Sequence, residues 1–341
     1  LDWLVNYDLQ MDDHVLRVVA GTSWEQYRYE QVGAENFDFT FDNTKWYDIA
    51  AGGWIKDGLA NIWTGQTQSS LFGFFGRVNY NWRDMLFVSA SIRREASTKF
   101  GMNSRWGNFP SASIAWEMME ASFMDPAREV VKSLKPRFSF GVTGREPGSS
   151  YQSLATYSTK YQYFMDGEWV TGYAPSNNAN PLLSWEKSVS YNIGVDFDLW
   201  NRLRGSVEYY IRQSPDLLYN YTAPQPPYVY NTILVNVGTT TNRGIEVCLN
   251  ADVIKKKNFT WNSGVNYSYG RTYLTKLSND VYQASYLELY QKPGVGTSEY
   301  FFRVEEGGEV GQFYGYEFAG VDLDGNMYVY DNEGKEQLIS N

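Results

Sequence analysis

The sequence predicts an all-β protein, an antiparallel up-and-down transmembrane β-barrel of which this chain forms a part. Long segments alternate apolar with polar residues, which gives strands with one face of each kind. Many of these segments reach about ten residues, as a membrane-spanning strand needs, whereas the strands of a soluble sandwich usually have about five or six. Short and long connections also alternate, as in barrels with short turns at one end and longer loops at the other.

The first strands are 1–10 and 15–31, joined by a short polar turn. The second of them is apolar on both faces at its start, so the pattern leaves its orientation open. Alternation then fades among Gly, Asp, Asn and Trp from 32 to 69, which predicts a long loop. The third strand, 70–82, ends at Trp82, and barrels place aromatic residues where strands leave the membrane.

The next strands are 85–95 and 108–118, separated by a loop of Gly, Ser and Asn. Residues 117–133 break the alternation and carry many charges, which predicts a helical turn within a connection. Alternation returns at 134–145, where Pro136 allows backbone pairing on one side only. A second long loop, rich in Tyr, Asn and Ser, is predicted over 146–184.

The clearest alternation lies in 187–200, where every second residue from Val189 to Leu199 is apolar. A minimal turn leads to the strand 203–213, and a Pro-rich loop leads to 244–253. A short basic turn then joins the tenth strand, 259–269. Residues 277–341 are less regular and predict loop with short hairpins.

The composition excludes several classes of protein. The chain has 29 Lys and Arg against 39 Asp and Glu, a net charge of −10, and therefore lacks the basic surface of a nucleic-acid binder. Its single cysteine, Cys248, allows no intrachain disulfide. No apolar run is long enough for a transmembrane helix. No signal peptide is visible and residue 1 already lies in a strand pattern, so we expect an internal part of a longer protein.

Catalytic residues are poorly supported. His14 is the only histidine, and its place in a short turn predicts a solvated residue rather than a member of a Ser-His-Asp triad. Asp196 and Asp198 share a strand face, as a carboxylate pair would, but both should face the lumen near a turn, and a solvated wall explains them better than acid–base chemistry. We therefore predict no enzyme and no cofactor.

A calcium-binding loop is suggested only weakly. Asp322, Asp324 and Asn326 have the spacing that opens an EF-hand loop, but Met327 stands where that loop needs glycine. The Asp-Gly pair at 324–325 favours a hairpin turn, and we predict no metal site.

Two sets of residues are candidates for binding. Four arginines have the parity of the predicted lumen face, where they would contact an anionic substrate or a plug, or pair with Glu95 or Glu208: Arg77, Arg93, Arg204 and Arg212. Aromatic residues in the two long loops would stack on sugar rings or peptide side chains, or else serve loop packing or lid contact. They are Trp46, Tyr47, Trp54, Trp63, Tyr161, Tyr163, Trp169 and Tyr173.

Most of the chain resembles SusC/RagA-type TonB-dependent outer-membrane transporters. The resemblance begins with SLFGFFGRVNYNWRDMLFVSASIRREASTKFG, SRWGNFPSASIAWEM and SFGVTGR. It continues in the same order through LRGSVEYYIRQSPDLLYNY and NVGTTTNRGIEVCLNADVIKKKNFTWNSGVNYSYGRTYLTKL, and ends with GEVGQFYGYEFAGVD.

The resemblance implies a barrel of about 22 strands that is filled by an N-terminal plug. It implies import of oligosaccharides or oligopeptides in the outer membrane of a Gram-negative bacterium, under a SusD-like surface lipoprotein lid. An inner-membrane TonB complex would supply energy through a segment before the plug. The plug and the final strands have no counterpart in the sequence, so residues 1–341 are expected to form part of the barrel domain.

Two other functions remain open from the residues. An outer-membrane adhesin or binding barrel without transport would show the same strands. An outer-membrane hydrolase would need catalytic residues that the sequence does not display.

Overall fold

The computed structural model describes the chain except residues 42, 44–46, 280, 292–299, 332 and 339–341. For residues 160–161, 288–291 and 300–301 it describes the backbone alone. Strands dominate the described residues. They are β1 (Asp2–Met11), β2 (His14–Glu35), β3 (Asn61–Trp82), β4 (Leu86–Ser97), β5 (Trp106–Trp116), β6 (Val131–Arg145), β7 (Tyr157–Met165), β8 (Glu168–Pro175), β9 (Glu186–Leu199), β10 (Leu203–Pro215), β11 (Leu218–Thr222), β12 (Thr232–Asn236), β13 (Thr239–Lys256), β14 (Phe259–Lys276), β15 (Tyr286–Gln291), β16 (Tyr300–Glu305), β17 (Glu317–Val321), β18 (Met327–Tyr330) and β19 (Glu336–Leu338).

Ten of these strands form one sheet in the order β1-β2-β3-β4-β5-β6-β9-β10-β13-β14. Each neighbouring pair is antiparallel, and no strand is out of chain order, so the sheet runs up and down. All ten strands predicted from alternation are confirmed. Pro136 pairs with Val195 of β9 while the β5–β6 pairing ends at Arg137, as its missing N–H requires.

Two neighbouring rows across the sheet differ in character. One row of cross-strand neighbours runs through all ten strands and is wholly apolar or aromatic: Leu9, Leu16, Tyr80, Val88, Ile114, Phe138, Ile193, Tyr209, Ile245 and Tyr269. The row one residue along lies on the opposite face and consists of polar residues and glycine: Asp8, Arg17, Asn79, Ser89, Ser113, Ser139, Asn192, Tyr210, Gly244 and Gly270.

The apolar face is not covered by a second sheet. Ile193 is 59% exposed and Tyr191 46% exposed, although they lie in the middle of the sheet. A soluble sandwich would bury both side chains. The arrangement is that of a barrel wall, whose apolar face meets lipid.

Two predicted loops, 32–69 and the Pro-rich connection before residue 244, are shorter than expected. β2 and β3 stay paired as far as Glu35 and Asn61, so the connection between them covers only residues 36–60 and Trp63 lies in a strand. β13 and β14 likewise extend beyond the predicted 244–253 and 259–269. Alternation fades in these extensions because apolar residues such as Val32 and Ile62 stand among glycine and polar residues without a period of two, while the main-chain pairing continues.

Two of the predicted loops contain hairpins that alternation did not predict. β7 and β8 pair within the predicted loop 146–184, and β11 and β12 pair within the Pro-rich connection. The hairpins predicted after residue 277 are confirmed by β15–β16 and by the sheet β17-β18-β19. The helical turn predicted in 117–133 is confirmed as two 3-10 helices, Met118–Glu120 and Ser122–Ala127.

The sheet has two different ends. The short-turn end carries the connections at residues 12–13, 83–85, 200–202 and 257–258, together with the 3-10 helices Met118–Glu120 and Ser122–Ala127. Two further 3-10 helices, Ile49–Ala51 and Gly53–Ile55, lie in the connection between β2 and β3. The long-loop end carries the remaining connections and the described hydrophobic clusters of fully buried residues. In the part of the chain that is described, no helix has the length and apolar character to cross a membrane.

Candidate functional site

The polar face of the sheet carries a cavity of about 640 Å³. Its polar lining includes Asn79, Ser89, Ser113, Arg137 and Asn192, which come from five strands. Hydroxyl and amide groups of this kind exchange hydrogen bonds with water or with a polar ligand. The face is therefore suited to a wet passage.

A charged cluster lies at the centre of this face. Arg137 of β6 bonds two carboxylates, with Nε donating to Asp196 at 3.1 Å and Nη2 donating to Glu208. Asn192 donates from Nδ2 to the other Glu208 oxygen at 3.0 Å. The sequence analysis missed Arg137 and expected one of its four arginines beside Glu208. Arg137 lies two residues before Ser139, so the period of two along β6 would have placed it on the polar face.

Two of the four predicted arginines bond neighbours on the same face. Arg204 Nε donates to Asp198 at 3.0 Å, and Arg212 Nε donates to the Ser190 hydroxyl at 3.2 Å. Both partners lie on β9, the strand next to β10. The structure thus places both side chains on the polar wall, and their contact with cargo or plug stays a prediction.

The other two arginines lie on β3 and β4. Arg93 Nε donates to Glu95 at 2.5 Å, which confirms the expected pairing with that carboxylate, and its Nη2 donates to Ser23 at 3.2 Å. Arg77 stands opposite Ser91 in the register, on the same face. These arginines are spread over three strands, β3, β4 and β10, and do not converge on one point.

Asp196 and Asp198 do not form a catalytic pair. Asp196 bonds Arg137 and Asp198 bonds Arg204, so each carboxylate has an arginine of its own. His14 begins β2 and its Nδ1 lies 2.7 Å from the Tyr80 hydroxyl. Neither aspartate contacts it.

The first aromatic set is only partly brought together. Trp46 lies outside the described residues. Tyr47 is 74% exposed, and Trp54 packs on Phe37 with 4.5 Å between ring centroids. Trp54 stays 38% exposed beside Phe37.

Trp63 lies in β3 rather than in the loop. It stands opposite Gly33, and its ring crosses the glycine so closely that a Cβ atom there would come within 2.2 Å of it. Gly33 is therefore required for the ring to lie flat on the extended β2–β3 ribbon.

The second aromatic set belongs to the hairpin β7–β8. Tyr163 lies on one face of this hairpin, opposite Val170. Trp169 and Tyr173 lie on the other face, where the ring centroids of Phe164 and Trp169 are 5.5 Å apart. Tyr161 has the parity of Tyr163 by register, and the structure describes only its backbone. Trp169 is 70% and Tyr173 75% exposed, so this face is an open aromatic surface.

Asparagine side chains tie the loops together at this end. Asn178 Nδ2 donates to the carbonyls of Tyr230 and Thr232, and Asn180 Nδ2 donates to the carbonyl of Leu234 at 2.9 Å. The segment 176–185 therefore lies alongside β12 and is joined to it by hydrogen bonds from side chains. Sequence reasoning missed this because asparagine in a loop gives no indication of its partner.

A buried aromatic core supports these loops. Trp185 is 6% exposed, packs on Phe100 and Phe109 at 4.9 and 5.2 Å, and donates from Nε1 to the Arg105 carbonyl at 2.8 Å. Leu183 is fully buried beside it. We call Phe100, Phe109, Leu183 and Trp185 the loop core. Leu218 and Leu234 of the β11–β12 hairpin pack against it, so it joins the β4–β5, β8–β9 and β10–β13 connections.

The hairpin turn predicted at 324–325 is confirmed between β17 and β18. Asp322 Oδ1 accepts hydrogen bonds from the N–H groups of Asp324 and Asn326 at 3.0 and 2.8 Å, and Gly325 has φ +86°. These hydrogen bonds, led by that from the Asn326 side-chain amide, lower the pKa of Asp322 below its ordinary value of 3.8. The carboxylate serves the turn itself.

We expect this turn to loosen in acid. Because the pKa of Asp322 is lower in the folded turn than in an unfolded chain, the stabilisation is complete above about pH 4 and is lost as pH falls through the folded value. Hydrogen-exchange protection of the Asp324 and Asn326 amides should fall accordingly, and Asp322→Asn should remove that dependence. The matching turn at Asp331, whose pKa is lowered mainly by the Lys335 amide, should keep its own pH dependence in the same variant.

The fold and the site together define the wall of a transmembrane β-barrel with a polar interior face and structured loops at one end. The chain belongs to the TonB dependent receptor-like, beta-barrel family, whose model matches residues 2–337. Barrels of this family lie in the outer membrane of Gram-negative bacteria.

Individual relatives agree with this assignment. The chain is 33% identical over 324 residues to TonB-dependent receptor P39 of Formosa agariphila, covering 93% of this chain and 28% of that protein. It is 30% identical to TonB-dependent receptor SusC of Bacteroides thetaiotaomicron, covering 79% of this chain and 26% of that protein. The chain therefore spans less than a third of the length of these curated relatives.

A solved structure has the same fold. The RagAB peptide importer in its closed-closed state matches 100% of this chain and 36% of that chain, with a TM-score of 0.77 and 25% identity. SusC/RagA-type proteins are thus its relatives by both sequence and structure.

Proposed function

We propose that residues 1–341 form part of the barrel domain of a TonB-dependent importer, which takes up oligosaccharides or oligopeptides across the outer membrane of a Gram-negative bacterium. The observation that carries the proposal is the two-faced sheet. An apolar row crosses all ten strands on one side, and a polar row crosses them on the other. Only a wall between lipid and a wet lumen uses both faces in this way.

The charged cluster on the polar face keeps its charges paired within the wall. Arg137 bonds both Asp196 and Glu208, which leaves one net negative charge in the cluster, and Arg204 pairs with Asp198 beside it. Hydroxyl and amide groups around the cluster supply further hydrogen bonds to a polar cargo. In this proposal, Arg77, Arg93, Arg204 and Arg212 line the lumen beside the plug and the cargo.

Cargo recognition is assigned to the exposed aromatic rings of the long-loop end. Trp169 and Tyr173 share one open face of β7–β8, and Tyr47 and Trp54 are exposed in the connection between β2 and β3. Aromatic faces give a large apolar contact to sugar rings and to peptide side chains alike. Trp46, Trp63, Tyr161 and Tyr163 complete the proposed set.

The proposed partners follow from the relatives. A solved relative is described as the RagAB peptide importer, and another relative is SusC. We place a SusD-like surface lipoprotein as a lid over the long-loop end, where the loops are supported by the packed loop core. A TonB complex would act through an N-terminal region that precedes the barrel.

Deletion of the gene tests transport directly. We expect the deletion strain to lose growth on one glycan or one peptide source, while attachment to surfaces is unchanged. Complementation with the full-length gene should restore growth, whereas a form whose TonB-contacting segment is removed should not. Normal growth with lost attachment would replace transport by adhesion, and cleavage of cargo by the purified receptor would indicate a hydrolase.

Two substitutions test the aromatic surface. Trp169→Ala and Tyr173→Ala should each weaken cargo binding to the full-length receptor by about 0.5–1.5 kcal/mol, roughly two- to tenfold in Kd. Calorimetry with separate oligosaccharide and oligopeptide pools would measure the loss and identify the cargo. Met102→Ala removes a side chain that is 83% exposed at the same end of the sheet and outside the proposed set, so it is the control and should leave Kd unchanged. Equal losses in all three variants would show that these rings do not recognise the cargo.

A further inference from the structure

Two arginines face each other on the apolar side of the sheet. Arg243 of β13 and Arg271 of β14 are direct partners in the register, and both are exposed. The row below them is Ile245 with Tyr269, which belongs to the apolar row, and the row above is Thr241 with Tyr273. The pair thus stands where the apolar surface gives way to polar residues.

The position of the pair can be placed in the membrane. Arg271 lies ten residues along β14 from Trp261, an exposed aromatic residue near the short-turn end. At about 3.3 Å per residue and a tilt of about 45°, ten residues rise about 23 Å along the membrane normal. The apolar band of an outer-membrane barrel is about 25 Å tall. The arginines therefore lie at its far edge, on the side of the long loops.

Two guanidinium groups on directly opposite residues repel each other, and a bound anion would relieve that repulsion. Cβ atoms of directly opposite residues are about 4.5–5.5 Å apart, and like charges there are destabilising. Glu309 bonds Arg271 Nη1 at 2.9 Å, and it is the carboxylate that the described residues supply to this pair. Arg243 lies over the Tyr273 ring at 5.3 Å. One positive charge is left over, on a guanidinium held in place by an aromatic face.

We propose that Arg243 and Arg271 form a binding site for a phosphate of lipopolysaccharide in the outer leaflet. Guanidinium groups bind phosphate oxygens through paired N–H donors, and a second guanidinium opposite the first can bond the same group. The long loops of such barrels are extracellular, and the outer leaflet is made of lipopolysaccharide, whose lipid A carries phosphates next to the acyl chains. The inference rests on the proposed outer-membrane placement.

A third outward arginine offers a comparison within the chain. Arg94 also lies on the apolar side towards the long-loop end, with its guanidinium 4.9 Å from the Trp106 ring. Its register partners are Phe74 and Asn108, so no second cation faces it. Arg94 therefore tests whether any outward arginine suffices or whether the facing pair is needed.

Lipid binding by the purified full-length receptor tests the site. The probes are bisphosphorylated lipid A, enzymatically dephosphorylated lipid A, phosphatidylglycerol and inorganic phosphate, each added to receptor in neutral detergent, with native mass spectrometry as the readout. We expect bisphosphorylated lipid A to bind and the others to bind at least tenfold more weakly. Arg243→Gln and Arg271→Gln should each weaken binding about tenfold, whereas Arg94→Gln should change it less than twofold.

Several results would overturn the site. They are equal binding of dephosphorylated lipid A, equal binding of phosphatidylglycerol, or equal losses in the Arg94 variant and the two pair variants. If a glutamine variant does not fold, Arg243→Lys keeps the charge and loses the paired donors, and binding should still weaken several-fold. The growth test decides transport and the lipid assay decides this site, so either proposal can fail while the other stands.

Discussion

Replacing Ile193 by arginine should destabilise the folded receptor in the membrane by about 2–4 kcal/mol, the cost of an arginine on the lipid face near the bilayer midplane. Ile193 belongs to the apolar row and is 59% exposed on the outward face. It lies six residues from Leu199 at the short-turn end of β9, which is about 14 Å along the membrane normal and near the middle of the apolar band. Urea titration of the full-length receptor in phospholipid vesicles would measure the loss.

The neighbouring residue gives the matched control. Asn192 lies next to Ile193 on the opposite, polar face and bonds Glu208, so an arginine placed there gains a carboxylate partner. Asn192→Arg should cost less than about 1 kcal/mol. If both arginine variants are equally destabilised, the two faces meet the same medium and the assignment of this sheet to a barrel wall is wrong.

The contrast between these two residues explains what the sequence could predict. Alternation is strong wherever the two faces of a strand meet different media, because lipid and water select opposite side chains at every step. Residues 187–200 alternate from end to end, and the strand was predicted there almost to the residue. The same reasoning identified all ten strands of the sheet.

The pattern weakens where the strands leave the membrane. The β2–β3 pairing continues as far as Glu35 and Asn61, where apolar and polar residues follow no period of two and main-chain hydrogen bonds hold the strands together. Trp63 was assigned to a loop for that reason. The hairpin β11–β12 was missed because its buried Val235 sits in a short apolar run that lies between prolines and polar residues.

The candidate site was predictable by type and only partly by position. Parity placed four arginines on the polar face, but Arg137 was overlooked beside Pro136 and proved to hold both Asp196 and Glu208. Pairings of this kind depend on which strand lies next to which, and on the stagger between them. A single sequence carries neither, because register is set between strands that are distant in the chain.

The loops are where a single substitution should have the second large effect. Trp185→Ala should weaken the loop core by about 3–5 kcal/mol, the usual cost of deleting a buried aromatic side chain. The ring contacts with Phe100 and Phe109 are lost, and the Arg105 carbonyl loses its donor. Contact with lipid and main-chain hydrogen bonds between its strands stabilise the sheet. We therefore expect local opening of the loops rather than unfolding of the barrel.

Hydrogen-exchange mass spectrometry of the full-length receptor separates these outcomes. A loss of about 3 kcal/mol corresponds to roughly a hundredfold faster exchange, and it should appear in segments 97–105 and 176–185 while β9 and β10 stay protected. Trp185→Phe keeps a ring and loses only the Nε1 hydrogen bond, so its effect should be about 1 kcal/mol. Trp169→Ala removes a ring that is 70% exposed and should leave exchange in both segments unchanged. Because the lid is proposed to rest on these loops, Trp185→Ala should also reduce co-purification of the lipoprotein; unchanged exchange in this variant would show that the asparagine bonds alone hold the loops.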